Sequence, residues 1–136
     1  MSRNRRHRRP AAGFTLIEVL LVLVILVILG SLAGVSIFSA QKQASVNAAK
    51  TQVGLIDNAL KMYQLNMNKP PASLDNLINQ PSDDKNGKWQ GPYWEDPTMP
   101  IDPWDNEYQY EVTGATYKVW SMGPDGASGT DDDISG

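Results

Sequence analysis

From Val19 to Gln41 the chain carries no charge, and the apolar stretch holding this run begins at Phe14, directly after a glycine. Few other features bind a fold so tightly. At about 1.5 Å per residue, twenty-odd such residues cross a bilayer core of roughly 30 Å. In hydrocarbon the backbone finds no water, so the segment must satisfy its own polar groups as a helix. Gly30 and Gly34 are the only glycines in 14–41, and no proline occurs between Ala11 and Lys69. One helix of about 50 residues is therefore expected, its first half in a membrane or in the core of an assembly.

Charge is distributed with equal bias. Arg3, Arg5, Arg6, Arg8 and Arg9 are the only arginines; set these five aside and the formal net charge falls from −3 to −8. A basic stub before an apolar helix and an acidic body after it fit the positive-inside rule, with the stub cytoplasmic and the body outside. They do not fit a nucleic-acid binder, whose basic residues line a folded face. There is no cysteine, and the only histidine is His7 in the basic stub. The usual nucleophile–base pairs are thus missing from the body, and no enzymatic activity is expected.

Within the apolar segment sits a single carboxylate, Glu18, five residues past Gly13. An unpaired carboxylate in hydrocarbon costs roughly 2.5 kcal/mol or more, so such a residue normally has a partner. Three readings compete. A secretory signal peptide would be cut beyond the apolar run, near Ala33 or Ala40, but the run is long and Glu18 interrupts its start. A plain membrane anchor accounts for the length and leaves Glu18 without a role. A cut after Gly13 makes Phe14 the first residue and creates an α-amino group that Glu18 of a neighbouring copy can neutralise.

Three regions follow: a basic leader at 1–13, a membrane or filament-core helix at 14–41, and a globular head at 42–136. In the head, Val46, Ala49, Val53, Ile56, Leu60, Tyr63 and Met67 alternate in steps of three and four, the stripe of a helix burying one face. Pro70 and Pro71 are expected to end it. Ser73 reads as the cap of a short helix with Leu74 and Leu77 inward. Residues 80–105 read as an ordered loop whose Trp89, Tyr93, Trp94 and Trp104 pack on the head. Segments 107–112 and 116–121 alternate with period two and predict an antiparallel hairpin turning at Thr113–Gly114, with room for a third short strand beside it. The fold class is α+β: a long N-terminal helix on a small antiparallel sheet.

The stretch from Met122 to Ile134 concentrates glycines and acids. Hard cations such as Ca²⁺ take six to eight oxygens at about 2.3–2.6 Å from carboxylates and backbone carbonyls. Asp125 and Asp132 are far enough apart to close a loop round one ion, although the spacing is not that of an EF-hand. A solvated acidic tail is the competing reading.

Gly13-Phe14-Thr15-Leu16-Ile17-Glu18-Val19 resembles the cleavage and methylation motif of type IV pilins and pseudopilins. Asp102-Pro103-Trp104-Asp105-Asn106-Glu107-Tyr108, then Trp120-Ser121-Met122-Gly123-Pro124-Asp125-Gly126 and Asp133-Ile134, are similar to the C-terminal half of the major pseudopilins of type II secretion, the general secretion pathway protein G family. The resemblance implies cleavage after Gly13 by prepilin peptidase and N-methylation of Phe14. It also implies a Glu18 that pairs with the amino terminus of a neighbouring subunit. It implies a pilin-like fold, one Ca²⁺ held by Asp125, by Asp132 or Asp133 and by the Met122 carbonyl, and a helical homopolymer in the periplasm that supports export of folded proteins. Expected partners are minor pseudopilins and an inner-membrane platform with its ATPase. Two departures stand out: the acidic loop is shorter than the common form, and Asp105 replaces a usual glycine. A type IV pilin for adhesion or motility is the alternative, made less attractive by the absence of cysteine.

Overall fold

Helix α1 (Leu16–Met67) runs unbroken for 52 residues in the computed structural model, which describes residues 13–136. The arginine leader lies outside the described residues, as do the side chains of 33–36. The chain divides into two compact units between Ala40 and Gln41. In the first, every described side chain from Phe14 to Leu32 is exposed. No sequence of Leu, Val and Ile stays so in water, since each fully exposed one forgoes about 1.5–3 kcal/mol of burial. The helix is long and apolar enough there to cross a membrane.

In the second unit the same helix becomes one-sided. Ala49, Val53, Ile56, Leu60, Tyr63 and Met67 are buried and Val46 is half-buried, as the three–four spacing predicts. The helix stops earlier than the prolines require. Asn68 adopts a left-handed conformation (φ 57°), and its N–H donates to the Gln64 carbonyl at 2.8 Å. Asparagine tolerates this terminating geometry almost as well as glycine. Pro70 and Pro71, both buried, then carry the chain away. The next element is a 3₁₀ turn, η1 (Leu74–Leu77), with Leu77 wholly buried; Ser73 precedes it but makes no side-chain cap, contrary to the sequence expectation.

The loop that follows is ordered by hydrogen bonds rather than by regular structure. The Leu77 carbonyl accepts from the Tyr93 N–H at 2.7 Å, and the Asn76 carbonyl accepts from the Trp89 indole at 3.0 Å. Asp84 accepts from the N–H groups of Lys88 and Trp89, which holds its carboxyl below the ordinary range. Tyr93 meets Tyr63 edge-on at 5.6 Å and Trp89 at 5.9 Å, so these aromatics are packing groups of the head.

Strands β1 (Gln109–Thr113) and β2 (Thr116–Ser121) form the antiparallel hairpin, joined at Gly114 and Ala115. Gly114 takes φ +64°, which a two-residue turn between right-twisted strands demands. β3 (Ile134–Ser135) adds to the other side of β2, giving the order β1-β2-β3. Tyr108 and Val119 meet the buried helix stripe and Leu77 in one core. Two tyrosine hydroxyls tie the sheet down: Tyr117 donates to Asp57 Oδ1 at 2.9 Å and Tyr110 to the Pro71 carbonyl at 2.8 Å. Burial, then the Asp57 contact, pushes the Tyr117 phenol up to about 12.

Candidate functional site

Thr15 starts α1. Its Oγ1 accepts from the Glu18 N–H at 3.3 Å, and its carbonyl accepts from the N–H groups of Glu18 and Val19 at 3.1 and 3.2 Å. Threonine at the cap with glutamate three residues on is the capping-box pattern, so Glu18 is fixed in the first turn by the same residues that form the motif. A negative charge there is favoured by the helix dipole, but by only about 0.3–1 kcal/mol. Among the described residues Glu18 has no ion pair, and Ile17, Val19, Leu21 and Val22 around it are exposed and apolar. Glu18 is thus an exposed carboxylate ringed by apolar side chains.

The second candidate lies in the C-terminal loop. Strand β2 ends at Ser121, and the 3₁₀ turn η2 (Gly123–Asp125) follows half-buried Met122. Gly123 (φ +70°) approaches the Asp132 backbone so closely that any Cβ would overlap the Asp132 carbonyl oxygen. Gly126 is left-handed and closes the turn on the Gly123 carbonyl at 3.3 Å. Asp125 Oδ1 accepts from the Ala127 N–H at 3.0 Å, which with Thr130 lowers its pKa. Asp133 Oδ2 accepts from the Gly129 N–H at 2.7 Å, whereas its Oδ1 is buried without a donor. Asp131 and Asp132 are exposed. They share with Asp133, Lys42 and Lys50 the lining of a cavity of about 380 Å³.

The predicted ligands thus fall on one glycine-shaped loop, but not as a cluster of carboxylates: among the described residues no three acidic or histidine side chains are gathered to hold an ion. Asp125 Oδ1 is engaged in its own turn. What a cation could use here is the orphaned Oδ1 of Asp133, in a loop that three left-handed glycines curl tightly. Gly123→Ala combines strain with overlap, and should destabilise the head by about 2 kcal/mol or more, read as a lower melting temperature.

Two side chains that the sequence reading passed over organise this end of the molecule. Asp102 is 3% exposed and Ser121 is 0% exposed. Asp102 Oδ1 accepts from the N–H groups of Trp104 and Asn106 at 3.0 and 2.9 Å, and its Oδ2 accepts from Ser121 Oγ at 2.6 Å. Ser121 Oγ in turn accepts from the Gly123 N–H at 3.0 Å. A buried carboxylate therefore links the 102–106 turn, the end of β2 and the start of the acidic loop. The available signal was Asp-Pro-Trp-Asp, since aspartate before proline often accepts from the N–H two residues on.

The same turn explains the unusual Asp105. Its φ is +65°, and its N–H donates to the Asp102 carbonyl at 3.1 Å. The position asks for a left-handed residue, which aspartate tolerates at a small penalty. Asp105→Gly should stabilise the head by about 0.5 kcal/mol, the relief of strain exceeding the added chain entropy. A melting temperature below that of the parent would contradict this account.

The family model for "Type II secretion system (T2SS), protein G" matches residues 36–136, and that for the prokaryotic N-terminal methylation motif matches residues 8–34. The type II secretion system core protein G of Aeromonas hydrophila is 39% identical over 135 residues, covering 94% of this chain and 93% of that protein. The Pseudomonas aeruginosa protein of the same description is 36% identical over 135 residues, with 93% and 92% covered. Among solved structures, the major pseudopilin from the type 2 secretion system of enterohaemorrhagic Escherichia coli matches with a TM-score of 0.58 and 25% identity, over 71% of this chain and 90% of that one. The protein G model spans most of the chain, the relatives match it nearly end to end, and the chain belongs to the type II secretion system protein G family.

Proposed function

We propose that this chain is the major pseudopilin of a type II secretion system, a structural subunit that polymerises into the periplasmic pseudopilus and supports export of folded proteins across the outer membrane. The observation that carries the reading is the exposed apolar helix from Leu16 to Leu32 with one carboxylate in its first turn. Such a surface is stable only inside a membrane or among copies of itself, and Glu18 restricts which copies fit. Before assembly the chain spans the inner membrane once, with its leader in the cytoplasm and its head in the periplasm. Prepilin peptidase removes residues 1–13 and Phe14 is methylated. Minor pseudopilins and the inner-membrane platform with its ATPase are the further partners, and the chain itself acts without catalysis. The family finding favours this reading over an adhesion or motility pilin.

Intact mass of the protein taken from its native membrane tests the proposal. A chain that starts at Phe14 with one added methyl group, recovered in filaments, supports it. A chain starting near Ala33 or beyond would remove the helix and the function with it.

The reading includes one Ca²⁺ in the C-terminal loop. Asp133, Asp125 and the Met122 carbonyl would hold it, with Asp132 as the alternative second carboxylate. When bound, the ion supplies positive charge that offsets the crowding of acids from Asp131 to Asp133. A ligand at a hundred times its Kd stabilises by about 2.7 kcal/mol. For a head of this size that raises the melting temperature by roughly 10 °C or more. The rise should vanish in Asp133→Ala. Identical melting of the solubilised chain in Ca²⁺ and in chelator would remove the ion from the account.

A further inference from the structure

Strand β1 lies at the edge of the sheet, and its far side has no strand beside it. With a two-residue turn at Gly114 and Ala115, Thr113 and Thr116 exchange backbone bonds, as do the pairs Glu111–Lys118 and Gln109–Trp120. Tyr110 and Val112 therefore point their N–H and C=O groups away from β2. Neither backbone bonds to any other described segment. β1 also contains no lysine and no proline, the residues that commonly close such an edge.

A groove runs along this edge. One depression of about 530 Å³ is lined by Leu74 and Asp75 of η1, by Met99 and Ile101, and by Glu107 and Tyr110. A second of about 270 Å³ is lined by Tyr63, Pro71, Val112 and Gly114, and the two share Ala72. From Tyr108 to Gly114 the edge is about 20 Å long, room for an added strand of about six residues. Outside α1, Ile101 and Val112 are the only exposed large aliphatic side chains among the described residues, and each lines one of the depressions.

Charge decides what fits there. No lysine lines the first depression, whereas Asp75 and Glu107 do, and neither acid has an ion pair among the described residues. Elsewhere the charges offset one another: Lys69 pairs with Asp83, and Glu111 stands opposite Lys118 across the hairpin. A second copy suits this groove poorly. The other edge of its sheet, β3, is two residues long and follows Asp131, Asp132 and Asp133, which repel the same acids. We infer that β1 accepts as an added strand an extended segment of another protein, with apolar side chains for the groove and a lysine or arginine against Asp75 and Glu107. Backbone bonds to Tyr110 and Val112 hold such a segment, and the two acids set its register. The inference goes beyond the filament reading and does not depend on it.

The probe is a fluorescent eight-residue peptide of alternating valine and threonine with a lysine at each end, added to the full chain dispersed in detergent. It should bind saturably and slow amide exchange at Tyr110 and Val112 by about tenfold. The same peptide ended in glutamate should bind about fivefold more weakly, and the double variant Asp75→Lys/Glu107→Lys, at two exposed positions, should reverse that order. Val112→Pro removes one outward N–H and no bond to β2, so it should retain the melting temperature and weaken binding by about tenfold. If it melts lower, a lysine-ended peptide N-methylated at every residue decides instead: it enters detergent alike but cannot donate, and should not bind. Absence of saturable binding, or binding of the methylated peptide, overturns the added strand. Equal binding of lysine- and glutamate-ended peptides overturns the assigned partner chemistry. Loss of filaments in Val112→Pro at an unchanged melting temperature gives the groove to a second copy and overturns the inference.

Discussion

Glu18→Ala is expected to leave the leader cleaved after Gly13 and the subunit in the membrane, yet to reduce filament formation by two orders of magnitude. The reason is an asymmetry between a buried pair and half of one. With Glu18 present, each new α-amino group entering the dry core can meet a carboxylate from a neighbour. Without it the amine is buried alone, and breaking a buried pair by removing one partner costs about 3–5 kcal/mol. Each added subunit bears that cost, and 1.4 kcal/mol is a factor of ten, so the concentration needed for growth rises by roughly a hundredfold or more. The local helix cannot account for such a change. Glu18 contributes to the first turn of α1 through the helix dipole, worth about 0.3–1 kcal/mol, and Thr15 still caps it. Helix content by circular dichroism should therefore match the parent. Glu18→Gln retains size but not charge and should fail in the same direction; normal filaments from either variant would mean that the carboxylate pairs with nothing in the assembly.

What could be read from the residues divides along a physical line. Period, charge asymmetry and length are properties of a string, and they located the helix, its buried stripe from Ala49 to Met67, and the hairpin to within two residues. The Asn68 terminator was hidden because asparagine is left-handed only occasionally, whereas proline is a plain signal against a continuing helix. Ser73 looked like a cap because serine often is one, but the short 3₁₀ turn offers its side chain no bond. A third short strand was open beside the hairpin, but two residues leave no periodic trace, so Ile134–Ser135 was not located. In the acidic loop composition was a poor guide to geometry. Asp125, Asp131, Asp132 and Asp133 are close in sequence, yet only Asp133 keeps a buried oxygen without a donor. Trp89, Tyr93 and Trp94 lie against the core as read from the loop's composition, whereas Trp104 is not part of that cluster. Asp102 went unweighed because a buried acid looks, in sequence, like any surface acid.

That residue carries the largest stability effect expected in the head. Asp102→Ala deletes the acceptor for two backbone N–H groups and for the Ser121 hydroxyl at one stroke. Hydrogen bonds to a charged group contribute about 1.5–3 kcal/mol each, and a buried donor left without a partner adds its own penalty, so a loss of about 4 kcal/mol is a conservative sum. A domain of this size has roughly 5–10 kcal/mol in all. The head should melt about 15–25 °C lower, close to being unfolded at growth temperature. Asp102→Asn retains Oδ1 for Trp104 and Asn106 and turns an amide toward Ser121, whose hydroxyl can accept instead; it should lose only about 1–2 kcal/mol. Ser121→Ala should fall between the two, because it leaves Asp102 Oδ2 buried without its donor and frees the Gly123 N–H. If the three groups act as one unit, the double variant Asp102→Ala/Ser121→Ala will be less destabilised than the sum of its parts by about 1 kcal/mol or more. Additive losses would mean that Asp102 holds the 102–106 turn and Ser121 the loop after β2 independently. A melting temperature for Asp102→Ala within a few degrees of the parent would show that the carboxylate is not what joins them.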